Sequence, residues 1–320
     1  VSFTRIRDCR VRALGTLVYL VFLGIRMATL VGRGDIVVSL HCNIESAFLC
    51  AIKRLIGYHI FVRPAGAGTF GVVRQAQKHL LQRFFLGFCE QADGAACISE
   101  DIHVEFSGWG FETAKLFRVR NGVSLSPLRE GTETPQVVFL GRMSRHKNIK
   151  LLLNAWKEIR PEFKKRNRLY LIGDGEESED LKKYCRRCGV EDTVVFTGRL
   201  TALDAHLRPG NIFVLPSVSE GLSNALLEAM AAGMCPVCTA VSGSREVISA
   251  GENGVLLPGE RPEELAAVLS DLLGNRDKVL KMGERAAAFV RREYTWEKTI
   301  AEYCDMFGTK VSEFQQGETE

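Results

Sequence analysis

"RLYLIGDGEESEDLKKYCRRCGVEDTVVFTG", residues 168–198, decides the fold class. "RLYLIG" (168–173) is an apolar run that ends on glycine and an acidic turn. Residues 177–188 then read as an amphipathic helix, and Gly189 follows it. "TVVFTG" (193–198) is a second apolar run without polar alternation, the pattern of a strand buried on both faces. Strand, helix, strand is the repeating unit of a parallel sheet. The unit recurs outward from this stretch. Further strands are predicted at 136–141, 211–216, 235–240 and 254–258. Helices are predicted at 148–160 (stopped by Pro161), 223–232 and 261–274. The whole reads as a doubly wound α/β sheet.

The preceding residues repeat the habit less completely. "DIVVSL" (35–40), "HIFVRP" (59–64) and "GAACIS" (94–99) read as strands, with helices at about 8–33, 43–56 and 72–89. A Gly/Pro/Ser/Thr-rich stretch at 120–135 reads as a linker. Helices at about 277–292 and 296–307 follow the last strand. The predicted division is 1–125 as an N-terminal Rossmann-like domain, 126–295 as a nucleotide-binding Rossmann-like domain, and 296–320 as a helix returning toward the first domain, then a polar tail. The chain opens on a helix where a parallel-sheet domain is expected to open on a strand, so the first domain reads as incomplete.

The 320 residues are 46% hydrophobic and 25% charged, with net charge +4, too small to argue for nucleic acid. The charge is uneven. Residues 1–125 hold 15 Lys/Arg and 9 Asp/Glu, and the remainder is mildly acidic. A basic first half suits an anionic surface or substrate. Ten cysteines and no visible signal peptide fit reduced thiols in a cytoplasmic setting. Two CxxC pairs, Cys185/Cys188 and Cys235/Cys238, have zinc-site spacing. One pair ends an amphipathic helix and the other lies on a buried-looking strand, which favours thiols used as filler. The apolar run 13–32 is long enough to span a bilayer. Arg12, Tyr19, Arg26 and Arg33 make a polar stripe along it, and mid-span arginine is costly in lipid, which favours a helix packed on a sheet.

In such sheets ligands sit beyond the carboxyl ends of the strands. There the sequence places "GRMSRHKN" (141–148), "GDG" (173–175), "GRL" (198–200), "SVSEGLSN" (217–224) and "VSGSRE" (241–246). Gly221 allows close backbone approach, and Ser223 or Asn224 can cap the following helix. Free amides and the helix dipole there make an anion site suited to phosphate, with Arg142 and Lys147 adding positive charge. Glu228 lies a turn inside the helix, where a carboxylate can accept a ribose diol, and Glu220 on the loop can face a sugar. The plainer alternative is a pair of glutamates complementing a helix start.

These blocks, with "LIGDGEESEDL", "VVFTGRL", "VLPSVSEGLSNALLEAMAAGMCPV" and "SGSREVISAGENGVLLPGERPEELAAVL", resemble in order and spacing the C-terminal half of retaining glycosyltransferases of family 4. The resemblance covers 118–307 strongly and 35–117 weakly. It implies the GT-B fold, two Rossmann-like domains facing across a cleft, the first of them incomplete here. It also implies transfer of a sugar from a nucleotide-diphosphate donor with retained configuration. By the same resemblance Glu220 contacts the donor sugar and Glu228 the ribose. Arg142 and Lys147 steady the diphosphate, and the amides near Leu222 and Ser223 touch it. The base lies by Gly173 and Arg199. No D-x-D motif is present, which suits a metal-independent enzyme with no cofactor beyond its donor substrate. The acidic run 174–180 reads as a solvated helix start.

The departures lie in the first half. The family's glycine-rich loop has no counterpart. Arg63, Gly66 and Gly68 stand where many members carry a histidine, and His41 follows the preceding strand. The expected acceptor is a glycan or lipid-linked precursor of a polysaccharide or glycolipid. The helix 74–88, with Arg74, Lys78 and Arg83 beside Leu80, Leu81, Phe84, Phe85 and Phe88, fits either its own sheet or an anionic membrane, which would place the protein at the inner face of the plasma membrane. Nothing in the sequence fixes an oligomeric state. Two rival readings remain: a degenerate homologue that binds nucleotide without transfer, and a sugar-nucleotide epimerase on the same fold.

Overall fold

The computed structural model describes residues 12–64, 66, 71–125, 127–128, 130–200 and 206–308. The expected helix start at 8–11, Gly68 and the tail 309–320 lie outside them. Two parallel sheets stand side by side in the chain. The first joins β1 (Ile36–Ser39), β2 (His59–Val62), β3 (Gly94–Cys97) and β4 (Leu116–Arg118) in sequential order. Its core is built by Ile60, Val62, Ala95 and Cys97 from the strands, Leu86 and Cys89 from the helix before β3, and Ile102 and Phe106 from the helix after it. Gly94 leaves room for two rings, since a Cβ there would lie 2.8 Å from Phe117 and 2.9 Å from Phe61.

The second sheet holds β5 (Val137–Leu140), β6 (Leu169–Ile172), β7 (Val194–Gly198), β8 (Ile212–Leu215), β9 (Cys235–Thr239) and β10 (Val255–Leu257), in the order β10-β9-β8-β5-β6-β7. The chain winds outward from β5 to β7, then returns past β5 and winds the other way. That is the order of doubly wound nucleotide-binding sheets, with the reversal between β5 and β8. Ile212, Phe213, Val214 and Leu215 on β8 are all fully buried, the two-sided burial that their unbroken apolar run predicts. Each of these side chains contributes about 1.5–3 kcal/mol on leaving water. α6 (Ile149–Glu158) lays Trp156 against this core with its indole nitrogen satisfied by Thr193 Oγ1 at 3.0 Å.

The expected α/β architecture of parallel sheets holds, with local corrections. Among the described residues the first sheet runs β1-β2-β3-β4 without a reversal, and the reversal of strand order is seen in the second. The predicted helix at 72–89 is two, α3 (Val72–Lys78) and α4 (Leu80–Cys89), because His79 between them is extended (φ −131°, ψ 116°). Pro161 stops α6 as predicted but also opens α7 (Pro161–Arg166), using the first-turn position where a missing N–H costs nothing. α5 (Glu100–Trp109) and the three-residue β4 were not predicted, although Ser99 caps α5 by accepting from Ile102 N. α1 (Arg12–Leu30) turns Leu23 and Met27 to the core, yet Val18, Val21, Phe22 and Ile25 are exposed, so it is not the mostly buried helix its sequence suggests. Among the described residues no helix is long and apolar enough to cross a membrane.

The two sheets are tied across the chain. α13 (Trp296–Phe307) follows α12 (Arg276–Glu293) and packs on the first sheet, with the Phe61 and Phe307 rings 5.0 Å apart. Arg120, just after β4, donates from its backbone and its Nε to Glu302, both at 2.6 Å.

Candidate functional site

The reversal between β5 and β8 brings two loops together. After β5, Lys147 ends a short 3-10 turn, Arg145–Lys147. After β8, Ser217 to Ser223 lead into α9 (Asn224–Ala231). Val218 N donates to the His146 carbonyl at 2.9 Å, fixing one loop to the other. The fully buried Ser217 donates from Oγ to Glu220 Oε1 at 2.7 Å. The Lys147 ammonium pairs with the same carboxylate oxygen, and both side chains are only 12% exposed. Two opposite charges at such burial hold each other in place, and removing either leaves the other costly. Burial, then the neighbouring Lys147 charge, pushes His146 below the usual imidazole range, and its Nδ1 lies 3.1 Å from Ser144 Oγ.

Of the two cap candidates, Ser223 caps α9, its Oγ accepting from Leu226 N at 3.4 Å. Asn224 is the first residue of the helix and is engaged elsewhere. The Asn121 amide nitrogen donates to the Leu222 carbonyl at 3.1 Å and to Asn224 Oδ1 at 2.8 Å, while its oxygen accepts from Arg63 at 2.5 Å. Arg63 follows β2, so this relay carries the first sheet to the loop that leads into α9. The loop lies close to the first sheet elsewhere too: a Cβ on Gly66 would sit 3.6 Å from Gly221 N. Glu228, a turn inside α9, has no partner among the described residues, and burial raises its carboxyl above the usual range. It lines an interdomain cavity of about 380 Å³ with Arg63, Asn121, Asn224, Trp296 and Tyr303.

On the other side of β5 the loops close on one another through glycines. Gly173 (φ 128°) donates to the Gly198 carbonyl at 2.9 Å, and a Cβ on it would lie 1.9 Å from the Gly141 oxygen. Only glycine permits this approach. The result is a pocket of about 340 Å³ lined by Gly141, Arg142, Gly173, Asp174 and Arg199. The Lys147 stem passes within 3.8 Å of the Cβ position of Gly141, so the pocket and the ion pair adjoin. Three features therefore share the carboxyl edge of this sheet: Glu228 with the start of α9, the Lys147–Glu220 pair, and the glycine pocket. Arg142 is the one candidate drawn aside. It is 72% exposed and pairs with Glu176 at 3.0 Å.

The CxxC pairs and the acidic turn before α8 are accounted for by local structure. Cys185 and Cys188 lie on α8 (Ser178–Cys188), between β6 and β7, while Cys235 and Cys238 lie on β9, beyond β8 on the other wing of the sheet. The two pairs do not meet. Asp174 accepts from Gly175 N at 2.8 Å and from Ser178 Oγ at 2.6 Å, which closes the acidic turn before α8. Three residues that build or brace this region are not predicted by the sequence. Ser217 stood in a quoted loop, but its role needs the ion pair to be seen. Asn121 has no local signal, because its partners are a hundred residues away. Glu246, on α10 (Ser242–Val247), accepts from Glu100 N at 2.6 Å and pairs with Arg118; the sequence predicts its stretch as a cleft loop, without this helix or this pairing.

The family model for glycosyl transferases group 1 matches residues 126–289. An uncharacterised glycosyltransferase of Methanocaldococcus jannaschii is 29% identical over 180 residues, 55% of this chain and 46% of its own. The GDP-mannose-dependent alpha-(1-6)-phosphatidylinositol monomannoside mannosyltransferase of Mycobacterium tuberculosis is 30% identical over 182 residues, 54% of this chain and 47% of its own. The chain thus spans about half the length of the curated relatives it matches. Among solved structures, sucrose-phosphate synthase from Thermosynechococcus elongatus superposes with TM-score 0.80 at 19% identity, covering 94% of this chain and 79% of that one. Anabaena HepE in complex with UDP and glucose superposes with TM-score 0.78 at 15% identity, covering 92% and 83%. These likenesses establish the GT-B fold.

Proposed function

This chain belongs to the glycosyl transferases group 1 family, and we propose that it moves a hexose from a nucleotide-diphosphate donor to a glycan or lipid-linked acceptor, retaining the anomeric configuration and using no metal ion. The observation that carries the reading is the Lys147–Glu220 pair at the sheet reversal, beside the start of α9. Charge that develops on a departing diphosphate is stabilised by fixed donors and cations more than by mobile water. Lys147 is such a cation, already oriented by Glu220 and Ser217. The amides around Gly221, Leu222 and Ser223 supply neutral donors, and Asn121 holds the Leu222 peptide in place.

In this reading the donor engages all three features. Its base enters the pocket between Gly173 and Arg199. The ribose hydroxyls meet Glu228, whose carboxylate is costly to ionise while unpaired and gains from accepting a diol. The diphosphate spans Lys147 and the α9 amides, with Arg142 swinging from Glu176 to join them, and the sugar faces Glu220 and the interdomain cavity. Absence of a D-x-D motif and the presence of Lys147 and Arg142 support a metal-independent reaction. Retention is supported by the resemblance of the Glu220/Glu228 spacing to retaining enzymes. The names of relatives and structural neighbours point to UDP and GDP as the first nucleotides to try.

The test is a thermal-shift screen of UDP-, GDP- and ADP-sugars with and without EDTA. A donor at a hundredfold excess over its Kd stabilises by about 2.7 kcal/mol, a readable rise in Tm. One donor class is expected to raise Tm equally in both conditions, and NMR of the product is expected to show the donor's anomeric configuration. No response to any nucleotide sugar, a response abolished by EDTA, or an inverted product would overturn the corresponding part.

A further inference from the structure

α4 buries one face and leaves an apolar one in solvent. Leu86 and Cys89 are fully buried against the first sheet, whereas Leu80, Leu81 and Phe84 are 85%, 65% and 60% exposed. The break at His79 restarts the helix on two leucines. The Phe84 ring is propped outward by edge contact with Phe88 at 4.9 Å and Phe85 at 6.1 Å. Single exposed apolar residues are ordinary, but a contiguous apolar ridge rimmed by charge marks an interaction surface.

The rim is cationic. Arg74, Lys78 and Arg83 are exposed, and none of them forms an ion pair among the described residues. Residues 12–89 as a whole hold nine Lys/Arg against two Asp/Glu. Leu55, 85% exposed beside the exposed Arg54, extends the same character onto α2 (Ile44–Ile56), which packs on α4. Two copies of so cationic a face repel each other, and a neutral apolar partner leaves the cations unanswered. An anionic bilayer answers both features at once: apolar side chains enter the headgroup–acyl boundary and the cations meet lipid phosphates.

We propose that the outer face of α3 and α4 docks this protein on an anionic lipid bilayer through Leu80, Leu81 and Phe84, with Arg74, Lys78 and Arg83 on lipid headgroups. α3 begins six residues after Gly66, whose Cβ position lies 3.6 Å from Gly221 N. A membrane site for this face would suit a lipid-linked acceptor; that consequence rests on the proposed transferase reading, and the docking itself does not.

The experiment is flotation of the full chain with vesicles of phosphatidylcholine alone and of phosphatidylcholine with about one-third phosphatidylglycerol, at low and high salt, beside sedimentation without lipid. Binding is expected only to the anionic vesicles and is expected to weaken with salt. Arg74→Gln/Lys78→Gln/Arg83→Gln is expected to lower partitioning by about fivefold per cation removed. Leu81→Ser/Phe84→Ser is expected to lower it by about tenfold or more. Both variants alter exposed positions, so circular dichroism and any nucleotide-induced thermal shift should match the parent. No flotation on anionic vesicles at low salt overturns the proposal, as does flotation unaffected by either variant. A dimer lost in Leu81→Ser/Phe84→Ser, with no lipid binding, assigns the face to a second copy and also overturns it. Failure of the nucleotide screen with intact flotation would sink the transferase reading and leave the docking standing.

Discussion

The two sheets use the same parallel wiring for different ends. The second folds its chain back between β5 and β8, and there Lys147, Glu220 and the start of α9 gather, enclosed by loops that approach to glycine contact. The first runs its described strands in one direction, exposes Ile36 and Val38 on its edge strand, and turns apolar residues of α1 and α4 to solvent. Tight closure belongs to the region that must hold a ligand's charges at fixed distances. Open apolar surface belongs to the region that meets something else. The two communicate through polar ties that include Asn121 to Leu222 and Asn224, Arg118 and Glu100 to Glu246, and Ser242 to Ser99.

The contrast predicts how each region answers a single methyl group. Gly243→Ala would put a Cβ 1.8 Å from the Gly221 oxygen, a backbone clash with no rotamer escape. We expect a loss of about 4 kcal/mol or more in urea unfolding, with any nucleotide response abolished. Lys147→Ala comes next. It strands the Glu220 carboxylate at 12% exposure and should cost about 3 kcal/mol in the same measurement. Asn121→Ala leaves the Leu222 carbonyl unanswered and should cost about 1–2 kcal/mol, and it should weaken nucleotide binding through the loop it holds. At the other extreme, Gly87 lies inside α4 with nothing within 4 Å of its Cβ position. Gly87→Ala should stabilise by about 0.5–1 kcal/mol and leave nucleotide binding unchanged. If Gly87→Ala instead destabilises as Gly243→Ala does, the distinction between a closed and an open region fails.

The smallest effect is a matter of sign. Burial raises the Glu228 carboxyl, so the folded protein holds this proton more tightly than the unfolded chain does. Its contribution to stability is present at acid pH and lost as pH rises through the folded value. Glu228→Gln removes that loss. Without nucleotide, the variant's Tm should exceed the parent's at pH 7, and the gap should close as pH falls into the carboxylate range. A Tm below the parent's at pH 7 would show that Glu228 has a stabilising partner.

The second sheet was legible in sequence because its strands are unbroken apolar runs with glycine at their ends. All of β5 to β10 fall inside the predicted stretches. The first was less legible for reasons that are local. β4 is three residues long, too short to show a period. α3 and α4 share one continuous amphipathic pattern that does not reveal the extended backbone at His79. The cap at Ser99 was there to be read, and its acidic first turn with it. In the site, loop residues such as Lys147, Glu220 and Gly173 could be chosen because the strand ends placed them. Asn121 and Glu246 could not, because a hydrogen bond between the two halves leaves no trace in either one.

The central claim is that the site formed by Glu228, Lys147 and Gly173 holds a nucleoside diphosphate. Calorimetric titration of UDP, GDP and ADP into the parent, Lys147→Ala and Glu228→Gln measures it directly. The parent should bind one of the three, and each variant should bind it more weakly by about 1–3 kcal/mol, roughly 5- to 150-fold. Unchanged affinity in both variants would contradict the placement of the nucleotide and with it the functional reading of the site.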